Sequence, residues 1–275
     1  MNKTALVTGA SSGIGEETAR TLHKLGYTVY AAARRTDRLK QLTAIGIHAL
    51  TMDVTDDESM SSGIEKIITE TGRIDVLVNN AGYGSYGAIE DVSLDEARRQ
   101  FEVNVFGLGR LTQLVLPHMR AQRSGTIINI SSMGGRLTTP LGGWYHATKY
   151  AVEALSDALR METAPFGIDV VVIEPGGIRT EWSGIAADHL EETAEGSAYA
   201  SQIKAVANSM RSESTNKRQS PPSVIADTVE KIVTARKPRT RYVVGFAAKP
   251  LVTLRRILPD RAFDRVISAA LGVRR

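Results

Sequence analysis

The sequence predicts an α/β fold: a single doubly wound domain, with about seven parallel strands between helices on both faces. Three observations predict it. Short, β-branched-rich apolar runs alternate with helix-length amphipathic segments over most of the 275 residues. The runs are continuous rather than alternating, as in strands covered on both faces of a parallel sheet. A glycine-rich turn, Gly9 to Gly15, follows the first run directly and opens the first helical pattern.

In chain order, strands are expected at 4–8, 28–33, 47–52, 76–79, 126–130, 170–173 and 242–244. Helices are expected at 14–25, 57–71, 94–119, 145–164 and 223–235, where apolar residues recur with the helical period. The stretch 181–220 is polar, rich in small residues and without strand signals, and it precedes Pro221 and Pro222. It reads as a lid inserted into a domain spanning 1–245. Residues 246–275 read as a helical extension packed on that domain. Leu251, Leu254, Ile257, Leu258, Phe263, Val266, Ile267, Ala270 and Leu271 fall there at helical spacing, with arginines between.

Composition narrows the function. The net charge of +4 divides into +9 on residues 236–275 and −5 on the remainder. A basic tail without base-stacking aromatics or a recognition motif argues against nucleic-acid binding. A basic amphipathic helix can lie on an anionic membrane surface, but packing against the body is the commoner use. The chain has no cysteine, which excludes disulfide, thiolate and zinc–thiolate chemistry. No cluster of His, Asp and Glu has metal-ligand spacing, so no metal is expected. The first strand begins too early for a secretory leader, and a cytoplasmic location is expected.

The turn Thr8-Gly9-Ala10-Ser11-Ser12-Gly13-Ile14-Gly15 joins a strand to a helix N-terminus. Such a turn presents backbone N–H groups and the positive end of the helix dipole to an anion. Gly9 permits the turn, Gly13 lets a pyrophosphate approach, and Gly15 lets helix pack on strand. The same residues also satisfy G-x-S-x-G, the hydrolase nucleophile elbow. That reading fails on position, because the turn follows the first strand and no His stands in a triad context. In NAD sites an acidic residue after the second strand binds the ribose 2′-hydroxyl. Here that strand runs into Arg34 and then Arg35, with no acid before Asp37. A guanidinium suits a 2′-phosphate, so the cofactor expected is NADP(H), with Arg34 ahead of Arg35. Asp53 and Val54, after the third strand, are placed to border the adenine.

Tyr145 and Lys149 lie four apart and share a helix face. A nearby ammonium favours phenolate, so Lys149 is expected to lower the Tyr145 pKa for acid–base work. Ser132 ends the fifth strand at the sheet edge where α/β ligands bind, and could hold the substrate oxygen.

With Asn79-Asn80-Ala81-Gly82, Asn104 in Glu102-Val103-Asn104-Val105, Asn129 to Ser132, and Pro175-Gly176 added, the sequence resembles the short-chain dehydrogenase/reductase family. Order and spacing match over roughly residues 3–245. The resemblance implies a Rossmann-type fold and hydride transfer between a nicotinamide and a carbonyl or alcohol carbon. It implies Tyr145 as acid/base and Lys149 as its modulator and ribose ligand. Ser132 would polarise the carbonyl, and Asn104 would hold a water leading from Lys149 to solvent. Ser11, Ser12 and Ile14 would assist at the phosphates, while Asn79, Ala81 and Gly82 would line the cofactor channel. Pro175, Gly176, Ile178 and Thr180 would border the nicotinamide. Family members place the substrate where this chain has Tyr83, Met133, Leu137, Trp144 and Trp182, favouring a bulky, weakly polar small molecule. The last part of the chain is more loosely similar to the steroid- and retinoid-active branch. The family also implies a homodimer or homotetramer built on helices 94–119 and 145–164. A binding protein sensing NADPH, and an isomerase or dehydratase using the same site, are the alternatives.

Overall fold

The computed structural model of the chain describes residues 2–273, so Arg274 and Arg275 of the basic tail lie outside the described residues. β1 (Thr4–Thr8) feeds α1 (Gly13–Lys24), and β2 (Thr28–Ala33) leads through a 3-10 turn, Thr36–Leu39, into the single-turn α2 (Lys40–Thr43). β3 (His48–Thr51) and α3 (Asp57–Thr71) complete the first half. After β4 (Val76–Asn79) come α4 (Leu94–Phe101) and α5 (Gly107–Gln122), then β5 (Gly125–Ile130) and α6 (Gly143–Thr163). β6 (Ile168–Pro175) is followed by α7 (Trp182–Glu192), α8 (Ala200–Arg211), α9 (Glu213–Arg218) and α10 (Ser223–Thr234). β7 (Arg241–Val244) closes the sheet before α11 (Ala248–Ile257) and α12 (Asp260–Ala270).

The seven strands form one sheet in the order β3-β2-β1-β4-β5-β6-β7, every neighbouring pair parallel. Strand residues alternate between two cores, as the two-residue period of a strand requires. Ala5 and Val7 join Ala19 and Leu22 of α1 and Val229 and Ile232 of α10. Leu6 between them joins Ile64 and Ile67 of α3 and Leu111, Val115 and Met119 of α5. Local signals set the ends of α3. The Asp56 carboxylate accepts the N–H groups of Glu58 (3.0 Å) and Ser59 (3.3 Å), and Gly72 terminates it at φ 71°.

The structure adds detail to three expectations. The helix read as continuous over 94–119 is interrupted by a π-helical segment, Glu102–Phe106, which contains Asn104. The extra residue in that turn lets the Asn104 amide reach the Tyr83 backbone, a pull from outside the helix that its own periodicity cannot show. The stretch 181–220, read as a lid without strand signals, is largely helical. Its small residues let α7 bury Ala186, Ala187 and Leu190 against Ile203, Val206 and Ala207 of α8. In the extension, Phe263, Ile267 and Val252 are buried against Leu137, whereas Ile257 and Val266 face solvent. No helix among the described residues is long and apolar enough to cross a membrane.

Leu111 is fully buried in the core under α3 and α5. Leu111→Ala is expected to lower the unfolding free energy by about 2–5 kcal/mol, read from urea denaturation at constant slope.

Candidate active site

The order of the sheet reverses between β1 and β4, and the loops leaving these two strands diverge there. One side chain fastens them. The Thr8 hydroxyl oxygen accepts the N–H groups of Asn80 and Ala81, each at 3.0 Å. Asn80 Nδ2 returns donors to the carbonyls of Thr8 (2.9 Å) and Gly9 (3.2 Å). Asn80 was not singled out from sequence, although the Asn79-Asn80 doublet was the available signal. Gly9 and Gly13 adopt φ +63° and +56°, and a Cβ on Gly15 would collide with the Gly9 carbonyl. Ser12 caps α1 in extended backbone without spending its side chain, and Ser11 and Ile14 are half-buried beside it. Past β6, the Gly176 N–H donates to the Val244 carbonyl (2.8 Å) and Ile178 bridges to Ser220. This route from Pro175 carries Thr180 over the turn, where a Cβ on Gly13 would lie 3.1 Å from its methyl.

Arg34 and Arg35 are exposed just beyond β2, without a carboxylate partner among the described residues, whereas Arg38 pairs with Glu181 at 3.1 Å. The Asp53 carboxylate is engaged by its own loop, accepting the Thr55 N–H (3.0 Å) and hydroxyl (2.8 Å). Val54 packs on the core, its carbonyl against Gly107. Asn79, expected along the cofactor channel, instead turns its amide inward. It donates to Asn129 Oδ1 (2.9 Å) and Thr112 Oγ1 (3.2 Å), tying β4 to β5 because a buried amide must find partners.

α6 places Tyr145 and Lys149 one turn apart, both buried, with Lys149 Nζ 6.0 Å from the centre of the phenol ring. Lys149 Nζ donates to the Ile130 carbonyl at 2.9 Å, which fixes it under the end of β5. Ser132 Oγ accepts the Gly134 N–H at 3.0 Å and so keeps its own hydrogen to donate. Asn104 Oδ1 accepts the Tyr83 N–H (3.0 Å), and its Nδ2 donates to the Tyr83 carbonyl (2.8 Å) and Thr148 Oγ1 (3.1 Å). Its side chain thus holds the loop after Gly82 against α6.

Lys149 was expected to lower the Tyr145 pKa; in this arrangement burial is the larger influence on both groups. Burial pushes the phenol up to about 12, and the hydrogen bond with Ser132 only partly opposes it. Burial also brings the Lys149 ammonium down to about 8, with the Glu153 carboxylate acting against that fall. Desolvation disfavours both charged forms and is the largest influence on each. At neutral pH the phenol keeps its proton.

The residues expected at the substrate divide. Trp182 lies 5.3 Å from the Tyr145 ring and Tyr86 5.6 Å from it, centroid to centroid, forming one apolar wall. Met133, next to Ser132, and the fully buried Leu137 pack instead with Val252, Phe263 and Ile267 of the extension. Tyr83 is held to Glu96 at 2.9 Å. Trp144 is not at the site: it lines a surface groove with Leu94, Ala97, Phe101 and Phe106. Sequence missed Tyr86, which carried no motif signal.

A family model described as short chain dehydrogenase matches residues 3–190. The chain belongs to the short-chain dehydrogenase/reductase family. It is 36% identical over 260 residues to a probable short-chain type dehydrogenase/reductase of Helicobacter pylori, covering 94% of each chain. It is 36% identical to the 3-ketodihydrosphingosine reductase of Bacteroides thetaiotaomicron, covering 98% of each. It is 35% identical to an NADPH-dependent 3-dehydrocapnine reductase of Ornithobacterium rhinotracheale, covering 95% of each. A short-chain dehydrogenase from Streptomyces avermitilis superposes with a TM-score of 0.82 at 33% identity, covering 100% of this chain and 99% of that one. A metagenomic short-chain oxidoreductase solved with NADP superposes at 0.69 and 26% identity, covering 88% and 96%. This short-chain dehydrogenase/reductase is therefore an oxidoreductase using a nicotinamide cofactor. Its residues fit that group, because the Gly9–Gly15 cradle admits no Cβ at Gly15 and the first-turn N–H groups of α1 meet no capping side chain.

Lys149 titrates in reach of assay. Turnover is expected to fall as pH rises through about 8, where the ammonium loses its charge. Lys149→Arg should move that limb upward, because a guanidinium stays charged. A limb at the same pH in both proteins would assign it to another group.

Proposed function

We propose that this protein is an NADPH-dependent reductase of a ketone on a bulky, apolar, chain-bearing substrate. The observation carrying this reading is the buried, protonated Tyr145 beside a Ser132 hydroxyl with a hydrogen to give. Two proton donors converging on one point suit an oxygen that gains negative charge during reduction.

The dinucleotide, held by the turn from Gly9 to Gly15 and by the segment from Pro175 through Ile178 to Thr180, would supply the hydride. Arg34, with Arg35 second, binds the 2′-phosphate of the adenosine ribose. Asp53 and Val54 border the adenine through the loop after β3. Ser132 donates to the substrate oxygen and orients it. Tyr145 donates its phenolic proton to the same oxygen as the alkoxide forms. Lys149, anchored on the Ile130 carbonyl, stabilises the phenolate that remains and meets the nicotinamide ribose. Asn104 fixes the loop of Ala81 and Gly82 against α6, beside Lys149. Tyr86 and Trp182 against the phenol, and Met133 next to Ser132, exclude water and contact an apolar substrate body. The names of the Bacteroides and Ornithobacterium relatives, reductases of a 3-keto and a 3-dehydro compound, support a ketone as substrate.

The test is NADPH oxidation, followed by absorbance, against hydrophobic ketones including 3-ketodihydrosphingosine. The native chain is expected to turn over, and Tyr145→Phe to lose at least about a hundredfold in kcat while binding NADPH normally. Arg34→Ala should weaken NADPH tenfold or more and leave NADH unchanged. Turnover surviving in Tyr145→Phe would remove the phenol from the mechanism.

We further propose a homo-oligomer built on the outer faces of the helical stretch 94–119 and of α6, where Leu94, Phe106, Leu155 and Met161 are exposed. Light scattering of the native chain should give a dimer or tetramer, and Phe106→Glu should lower the mass. A native monomer would dismiss it.

A further inference from the structure

The residue after Tyr145 is a histidine with no place in the mechanism above. His146 is buried on α6. Its Nδ1 lies 3.0 Å from the Gly134 carbonyl, and its Nε2 lies 3.1 Å from the Thr139 backbone nitrogen and 3.0 Å from the Thr139 hydroxyl. A carbonyl can only accept and a backbone N–H can only donate. These partners therefore require the neutral ring with its hydrogen on Nδ1. The ring lies flush against the chain at both ends, since a Cβ on Gly134 would fall 2.7 Å from Nδ1 and one on Gly142 2.7 Å from Nε2.

The two bonds enclose the whole segment between them. Gly134 N–H is the donor to Ser132 Oγ, so His146 holds the carbonyl of the same residue whose N–H aims the serine. Leu137, buried against the extension, lies in the same span. We infer that His146 is the positioning residue for Ser132, fastening residues 134–139 to the helix that carries Tyr145. This inference rests on the reading of Ser132 and Tyr145 given above.

A protonation switch follows from the geometry. A hydrogen on Nε2 would face the Thr139 N–H, donor against donor, and release that end of the segment. The ionisable groups packed against the ring are Tyr86 and Tyr145, neither of which would stabilise the cation at neutral pH. Arg136, in the same segment, turns to Glu174 instead. Burial holds the His146 pKa below the ordinary histidine value, with the Gly134 carbonyl opposing. The neutral latch is therefore intact at neutral pH and is lost as pH falls below about 6.5 toward the depressed value.

The experiment compares native protein, His146→Gln and His146→Phe for ketone reduction across pH, with NADPH affinity measured by fluorescence. His146→Phe keeps a ring but no polar atom, and should lose about tenfold or more in kcat with NADPH affinity unchanged. His146→Gln keeps one donor and one acceptor and should recover most of that loss, while the acid limb of kcat below pH 6.5 disappears. Carbon-13 NMR of labelled histidine reads the ring directly and should find the Nδ1–H tautomer at pH 8. That spectrum stands whether or not a substrate has been found, so failure of the reductase reading remains distinct. Equal losses in both variants, an unchanged acid limb in His146→Gln, or the Nε2–H tautomer would each overturn the inference.

Discussion

Everything at this site is referred to the point where the sheet reverses direction. A parallel sheet that grows outward both ways from its middle must leave a crevice between the two strands where growth began. Those strands are β1 and β4. Left alone, the loops leaving them would expose backbone donors in a half-buried place, which is costly. The Thr8 hydroxyl removes that cost by accepting two N–H groups of the β4 loop, and Asn80 answers with its own amide. The crevice is held at fixed width by side chains that take no part in chemistry. Cradle, cofactor channel and catalytic helix are positioned from it.

A second constraint is dryness. Lys149 and Tyr145 sit where water is excluded, and burial moves both toward their neutral forms. The helix carrying them is itself pinned from behind by charge. Arg241 on β7 reaches Glu153 (2.9 Å) and grips Asp157 with two bonds (3.0 and 2.7 Å). Glu153 is buried and Arg241 mostly so, and the pairing holds the Asp157 carboxyl down to about 2. A fork of this kind fixes orientation as well as distance. α6 therefore meets the sheet edge at a set angle, and its first turn delivers the phenol to the Ser132 hydroxyl.

The walls around the phenol come from three parts of the chain distant in sequence. Tyr86 follows the crevice, Trp182 begins α7, and Met133 lies next to Ser132 on the segment before α6. The extension backs the last of these, and Leu271 touches the clusters on both sides. The basic tail thus has a structural use in its apolar stripe, whatever its outward arginines do. Variation in lid and extension would reshape this space without touching the cradle.

Periodicity and spacing alone determined much of this protein. The β1 and β4 strands and α3 were legible to the residue, because burial on both faces, or on one stripe, writes itself into composition. The cradle and the Tyr145/Lys149 pair were legible for the same reason: each depends on neighbours within one turn. What tertiary structure decided involves partners from elsewhere. The break in the helix at Asn104 answers to Tyr83, and the inward turn of Asn79 answers to Asn129. The helicity of 181–220 answers to the packing of α7 on α8. The direction of the pKa shifts at Tyr145 and Lys149 also belongs here. Sequence shows which charges are near, but only the folded chain shows how much water has been removed from around them, and at this site that loss is the larger energy.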